Sequence, residues 1–187
     1  DPMCGSGTIL IEAALREMRV APGHSRHFVC ENWKTVTSDM WNKVRLEASA
    51  RNRSEEILPL LDICGFDIDR RVLEAARSNA KNAGIADAIH FQQRDFSEFS
   101  SKKQYGCIIT NPPYGERIGD KAAMNKIYAA FRNAMKELPT WSFYVLTADE
   151  NFENEICRKA DKKRKLYNGR IKVDYYQFYG PRPPKKQ

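Results

Sequence analysis

The stretch Ile108-Ile109-Thr110-Asn111-Pro112-Pro113-Tyr114-Gly115 decides how the rest of the chain is read. Cys107-Ile108-Ile109 is a short apolar run of the kind that forms a buried strand, and it passes directly into an Asn, two prolines and an aromatic ring. A strand must end there. Pro112 and Pro113 donate no ladder hydrogen bond and have a fixed φ, so the carbonyls of this turn point in preset directions. The Asn111 side-chain oxygen and the Pro112 carbonyl are two acceptors side by side, and Tyr114 supplies a flat face next to them. Two acceptors and a stacking ring suit a planar group with an exocyclic NH2, either a nucleobase or an amide.

Upstream of this turn the chain alternates between strand and helix signals. Pro59 to Asp69 reads as a strand ending in acid, followed by a helix over 70–83 with Asp69 as its cap and Gly84 as its stop. Ala88 to Gln93 reads as a strand, with Asp95 and Phe96 just beyond it. Tyr105 to Thr110 is the strand that feeds the Asn-Pro-Pro turn. Downstream come a helix over 122–138, a strand over 141–147, a helix from about 151 to 158, and two strands joined at Asn168-Gly169, a strong hairpin signal.

The chain opens on Asp1-Pro2-Met3-Cys4-Gly5-Ser6-Gly7-Thr8, followed by the helix-like Ile9-Leu10-Ile11-Glu12-Ala13-Ala14-Leu15 with Thr8 as its expected cap. Gly5 and Gly7 let the backbone turn tightly and approach a ligand at the positive end of that helix. A strand should feed such a turn, so the chain is expected to be a piece of a larger protein whose first strand precedes Asp1. In a doubly wound sheet, ligands bind outside the carboxyl ends of the strands. There Asp67 can accept from both ribose hydroxyls of a nucleoside; Asp95 either accepts from an adenine amino group, with Phe96 packing nearby, or caps the turn of Ser97 and Glu98. Residues 17–59 read as an insertion that lengthens the interval between the glycine turn and Asp67. Phe28 and Trp33 are its expected packing anchors, and 39–51 is helical in composition.

Composition narrows the class. A chain of 187 residues, 42% hydrophobic and 29% charged, is ordinary globular material, and no apolar run approaches the roughly 18 residues of a membrane span. A soluble, cytoplasmic protein is expected. Its five cysteines include no C-x-x-C pair, which argues against a disulfide framework. His24, His27 and Cys30 are too few and too mixed to argue for a metal. The formal charge of +7 is concentrated at one end: residues 158–187 hold 11 Lys and Arg against 2 Asp and Glu, leaving 20 against 22 for residues 1–157. Tyr167, Tyr175, Tyr176, Phe178 and Tyr179 are interleaved with those charges, either as strand core or as a surface that tracks phosphates and stacks on bases.

The glycine turn, an acid after one strand, an acid after the next and Asn-Pro-Pro-Tyr after the third together resemble the class I S-adenosylmethionine-dependent methyltransferases. Asp1-Pro2-Met3-Cys4-Gly5-Ser6-Gly7-Thr8 with Glu12-Ala13-Ala14, Gly65-Phe66-Asp67-Ile68-Asp69, and Asn111-Pro112-Pro113-Tyr114-Gly115-Glu116-Arg117 narrow it further. In combination they look like the ribosomal RNA large-subunit guanine-N2 methyltransferases, often labelled N6-adenine DNA methylases because of the shared Asn-Pro-Pro-Tyr. The resemblance implies an α/β, Rossmann-like, mostly parallel seven-stranded sheet with a C-terminal antiparallel hairpin. It implies a single catalytic domain over 1–187, with an RNA-binding THUMP-like region preceding it in the parent protein. It further implies S-adenosylmethionine held by Asp1, Cys4, Gly5, Ser6, Gly7, Thr8, Asp67, Ile68, Asp95, Phe96 and Asn111, with Asn111, Pro112, Pro113 and Tyr114 carrying catalysis on ribosomal RNA and no metal. Methylation of adenine N6 in DNA, and a cofactor- or RNA-binding module without turnover, are the alternatives.

Overall fold

The computed structural model of the chain describes residues 1–113 and 121–184. Its strands are β1 (Ile63–Asp67), β2 (Ile89–Gln93), β3 (Cys107–Thr110), β4 (Ser142–Thr147), β5 (Lys162–Asn168) and β6 (Ile171–Phe178). The helices are α1 (Thr8–Glu17), α2 (Ser38–Ala50), α3 (Ser54–Ile57), α4 (Arg70–Asn82), α5 (Lys121–Glu137) and α6 (Phe152–Glu155). β1 and β2 pair in parallel, while β3, β4, β6 and β5 form a second sheet in that order, with β3 and β4 parallel and the last three strands antiparallel. The described residues therefore form sheets of two and four strands, where one continuous sheet was expected, seven-stranded with its first strand preceding Asp1.

Residues 1–4 lie between the two sheets. Asp1 N donates to Cys64 O at 2.9 Å and Phe66 N donates to Asp1 O at 2.8 Å, the alternation of a parallel ladder against β1. Cys4 N then reaches Phe66 O at 2.9 Å, and the Thr110 hydroxyl at the end of β3 donates to the Asp1 carboxylate at 2.6 Å. Toward the amino ends of the strands, β1 and β3 diverge around a cavity of about 360 Å³ lined largely by apolar groups, among them Leu10, Ile63, Phe66, Ile108 and Trp141.

Two apolar cores hold the two halves. Leu73, Ala76 and Ala80, at helical spacing on α4, pack with Leu10, Ile11 and Ala14 of α1 and with Phe91 of β2. Phe131 of α5 packs with Phe143, Val145, Phe152, Tyr176 and Phe178 over one face of the four-stranded sheet. Burying each large side chain contributes roughly 1.5–3 kcal/mol, which is why the strict alternation of half-buried and buried residues along β4 fixes its register: a one-residue slip would expose the whole set.

Several expected boundaries shift. The 59–69 strand shortens to β1, because Leu58–Leu60 with Pro59 forms a 3-10 turn. The 151–158 helix contracts to α6, since Cys157 takes a left-handed φ of 56° and ends it. The hairpin loop is Gly169-Arg170, not Asn168-Gly169: Asn168 still pairs with Ile171, and Gly169 carries the positive φ of 61°. In the insertion, Phe28 packs edge-on against Trp41 at 5.7 Å, but Trp33 is 59% exposed and anchors nothing. Arg45 is consumed in knitting that loop, donating to the carbonyls of His24 and Arg26 and to Glu31.

Candidate active site

Three loops meet at the carboxyl edge. The first runs from Cys4 to Gly7 and is shaped by two left-handed glycines, Gly5 at φ 52° and Gly7 at φ 82°. Gly7, not Thr8, is the N-cap of α1, and no side chain caps that helix; the Thr8 hydroxyl lies 3.2 Å from Ser6 Oγ instead. The amides of the first turn are thus left for a ligand, at the positive end of the helix. Asn79 of α4 holds the turn from behind through a 3.0 Å bond to Ser6 O. A side chain at Gly7 would meet the Phe91 ring at 3.1 Å and Ala76 at 3.2 Å. Gly7→Ala is therefore expected to cost about 1–2 kcal/mol from the left-handed backbone alone, a drop of roughly 2–8 °C in Tm that a thermal melt will read; an unchanged Tm would show that the turn accommodates a β-carbon.

The second loop follows β1. Asp67 is half-buried, and its carboxylate accepts from Gly5 N at 3.0 Å through one oxygen and from Asp69 N at 3.0 Å through the other. An ionised carboxylate has about four acceptor sites, so two remain for the diol of a nucleoside. Ile68, next in sequence, is 67% exposed and offers an apolar surface beside it. Asp69 does cap α4, accepting from Arg71 N at 2.8 Å, and Arg94 N reaches back to Asp67 O at 3.0 Å, tying the ends of β1 and β2.

At the end of β2, Asp95 accepts from the amide and hydroxyl of Ser97 at 2.8 and 2.7 Å, both through Oδ1. Those bonds hold its carboxyl below the usual range. It is both the cap of the Phe96–Glu98 turn and a half-exposed acceptor. Phe96 departs from expectation: its ring is 6% exposed and packs edge-on against Phe131 at 4.8 Å, so it belongs to the core. Its backbone N–H, at the open start of the turn, is what it can offer a ligand.

The third loop is Asn111-Pro112-Pro113. Asn111 is exposed at the edge, whereas Pro112 is buried and fixes the turn against the sheet. Thr110, buried to 1% exposure, spends its hydroxyl on Asp1. Asp1 thus acts as a brace, its Oδ1 receiving both Thr110 Oγ1 and Met3 N, and ties the glycine turn to the Asn111 turn. Nothing in the residue order reveals that brace, because Asp1 and Thr110 are distant in sequence. Tyr114, with Gly115, Glu116 and Arg117, lies outside the described residues. Cys4 is buried and its thiol is pushed up to about 11 by that burial and by the Asp67 charge, so it stays protonated near neutrality and packs rather than attacks.

The chain is similar to known proteins over nearly all its length. A 46% identical relative in Bacillus subtilis, named "Putative RNA methyltransferase YpsC", aligns with 100% of this chain and 48% of its own length. The ribosomal RNA large subunit methyltransferase K/L of Shewanella frigidimarina is 37% identical over 94% of this chain and 25% of its own length. Among solved structures, SMU.472, described as a putative methyltransferase complexed with SAH, superposes with a TM-score of 0.91 at 46% identity over 98% of this chain and 48% of that one. The chain therefore spans about half, or less, of the relatives it matches. The family model described as RMKL-like, methyltransferase domain (UPF0020) matches residues 1–177, and with the glycine turn bonded to Asp67 at the end of β1 and braced through Asp1 to the end of β3, where Asn-Pro-Pro follows, the chain belongs to that family of methyltransferase domains.

Proposed function

We propose that this domain transfers a methyl group from S-adenosylmethionine to an exocyclic amine, guanine N2 of large-subunit ribosomal RNA. The observation that carries the proposal is the Asn111-Pro112-Pro113 turn at the carboxyl end of β3, braced through Thr110 and Asp1 to the glycine turn. S-adenosylmethionine supplies an electrophilic methyl on a positively charged sulfur. The residues present fit that cofactor: the Gly5–Gly7 backbone and Ser6 and Thr8 suit its amino-acid end, Asp67 the ribose, and Ile68, Asp95 and the Phe96 amide the adenine.

The target nitrogen is a poor nucleophile because its lone pair is delocalised into the ring. Asn111 Oδ1 and the Pro112 carbonyl accept its two N–H groups, draw the nitrogen toward a pyramidal geometry and free the lone pair for attack. As the new N–C bond forms, the methyl–sulfur bond would break to leave S-adenosylhomocysteine, and the surplus amine proton would pass to solvent. Pro112 and Pro113 hold those acceptors in fixed directions, and Tyr114 stacks on the base. Acceleration then comes from positioning and from preorganised dipoles, with the base removed from any stack.

A strand of the parent chain immediately before Asp1 completes the seven-stranded sheet in this reading. The parallel ladder that Asp1 already makes with β1, and the apolar cavity between β1 and β3, support it. An upstream RNA-binding region of the THUMP type would deliver the substrate.

The test is transfer from labelled S-adenosylmethionine to unmodified ribosomal RNA and to DNA, by this chain and by one extended upstream, with digestion to nucleosides. N2-methylguanosine from RNA is expected, with the extended chain the more active. N6-methyladenine from DNA would keep the mechanism and replace the substrate. Silence from both chains would leave a binding module.

A further inference from the structure

The carboxyl edge of the four-stranded sheet is not level. β4 ends at Thr147, opposite Asp174 of β6, but β6 begins at Ile171, paired back to Asn168 of β5. At about 3.4 Å per residue the hairpin rises roughly 10 Å past β4. It does so on the side of the sheet where Asn111 follows β3. Thr110, Val145, Tyr176 and Lys163 share one row across the strands, so at about 4.8 Å per strand the hairpin tip stands on the order of 15–20 Å from Asn111. A mononucleotide in the site does not reach it; a polynucleotide does.

The chemistry of this arm is one-sided. Lys162, Lys163, Arg164, Lys165, Arg170 and Lys172 fall between 162 and 172 with no Asp or Glu among them. Two of the six are engaged within the protein: Lys163, at the root of the arm, bonds the Asp174 carboxylate at 3.1 Å and the Tyr176 hydroxyl at 3.0 Å, and Lys172, across from Tyr167 near the tip, pairs with Glu150. Arg164, Lys165 and Arg170 are exposed and form no ion pair among the described residues. The aromatic residues of this region range from buried to exposed, with Tyr175 half-buried and Tyr179 46% exposed. Tyr176 and Phe178 are fully buried, whereas Tyr167, near the tip, is 68% exposed and shares a strand face with Lys165. Lysines on an edge strand discourage sheet-to-sheet pairing, which accounts for some of the charge. It accounts neither for a strand pair that overshoots its sheet toward Asn111 nor for a tyrosine held out in solvent at its end.

We infer that the β5–β6 hairpin is an arm that grips single-stranded nucleic acid flanking the target base. Lys165 and Arg170 neutralise backbone phosphates and Tyr167, on the same strand face as Lys165, stacks on an unpaired base. The inference rests on the nucleic-acid methyltransferase reading above and adds to it where the polymer is held.

The test compares the parent-length protein with its Lys165→Glu/Arg170→Glu and Tyr167→Ala variants, using unmodified ribosomal RNA and single-stranded DNA as substrates and S-adenosylhomocysteine binding as a control on the fold. For the double variant KM for the polymer is expected to rise roughly tenfold or more, with kcat within about threefold. The dependence of log KM on log salt should flatten by about 1–2, as for two lost phosphate contacts. Tyr167→Ala should raise KM about fivefold or more, as for one lost base stack, and S-adenosylhomocysteine affinity should not move. If the parent protein methylates polymer and both variants keep its KM and salt slope, the arm is refuted and the enzyme reading stands. If the parent protein methylates neither RNA nor DNA, both fall together. A variant that melts early or loses S-adenosylhomocysteine affinity while its salt slope is unchanged would show that the hairpin packs against protein, which also refutes the arm.

Discussion

Asn111→Ala is expected to lower single-turnover methyl transfer by about 10²–10³-fold, the range seen when one preorganised polar group is removed from a reacting centre, while S-adenosylhomocysteine affinity stays within about threefold. The asymmetry follows from geometry. Asn111 is exposed at the end of β3, and the contacts that shape the cofactor side of the cleft are made elsewhere: Gly5 to Asp67, Ser6 to Asn79 and Thr110 to Asp1. Removing the Asn111 amide leaves all of these in place and takes away one of the two acceptors on the amine. Asn111→Asp supplies the control. It keeps an acceptor oxygen but adds a charge and removes the NH2, so it should recover part of the lost rate if acceptance is the function and none if the NH2 contacts substrate. Single-turnover rates with calorimetric titration of S-adenosylhomocysteine check both variants, and turnover at the normal rate in Asn111→Ala would remove this residue from the mechanism.

The sequence made some of this site legible because of where strands end. An apolar run closing on an acid or on Asn-Pro-Pro marks a carboxyl terminus whether or not the start of the strand is known, so Asp67, Asp95 and Asn111 all fall at or just past the carboxyl ends of their strands. Strand beginnings were less legible. Leu58-Pro59-Leu60 is as apolar as the strand it precedes, yet its proline favours a 3-10 turn over a ladder that needs N–H donors. Phe96 shows a different limit: a ring next to a binding loop can turn toward ligand or core, and the choice was made by Phe131 on α5, far away in sequence. The Asp1–Thr110 brace and the overshoot of the β5–β6 hairpin are likewise long-range results. They depend on how strands align, which residue order alone does not carry.

Asp67→Ala is expected to produce the complementary defect: S-adenosylhomocysteine affinity falls by about 10²-fold, while kcat at saturating S-adenosylmethionine remains within about fivefold. Hydrogen bonds to a charged group contribute roughly 1.5–3 kcal/mol each, so losing acceptance from a ribose diol accounts for an effect of that size. A purely structural account competes, because the same carboxylate orders Gly5 and Asp69 through their amides, and its removal loosens the glycine turn whether or not ribose touches it. Asp67→Asn, paired with the 2′-deoxy analogue of S-adenosylhomocysteine, separates the two. If Asp67 receives the diol, the unaltered protein binds the natural ligand more tightly than the deoxy analogue, and Asp67→Asn loses much of that preference, giving a coupling between residue and hydroxyl that a mere scaffold does not produce. If the preference survives the substitution intact, the ribose is held by another group and Asp67 only shapes the turn. Because Asn111 and Asp67 act on different halves of the reaction, one on the amine and the other on the cofactor, the Asn111→Ala/Asp67→Ala double variant should show the kcat of the first and the binding constant of the second. A double variant worse than that product would mean that the loops communicate, and Asp1, bonded to Thr110 at one end and to β1 at the other, is the residue through which they would do so.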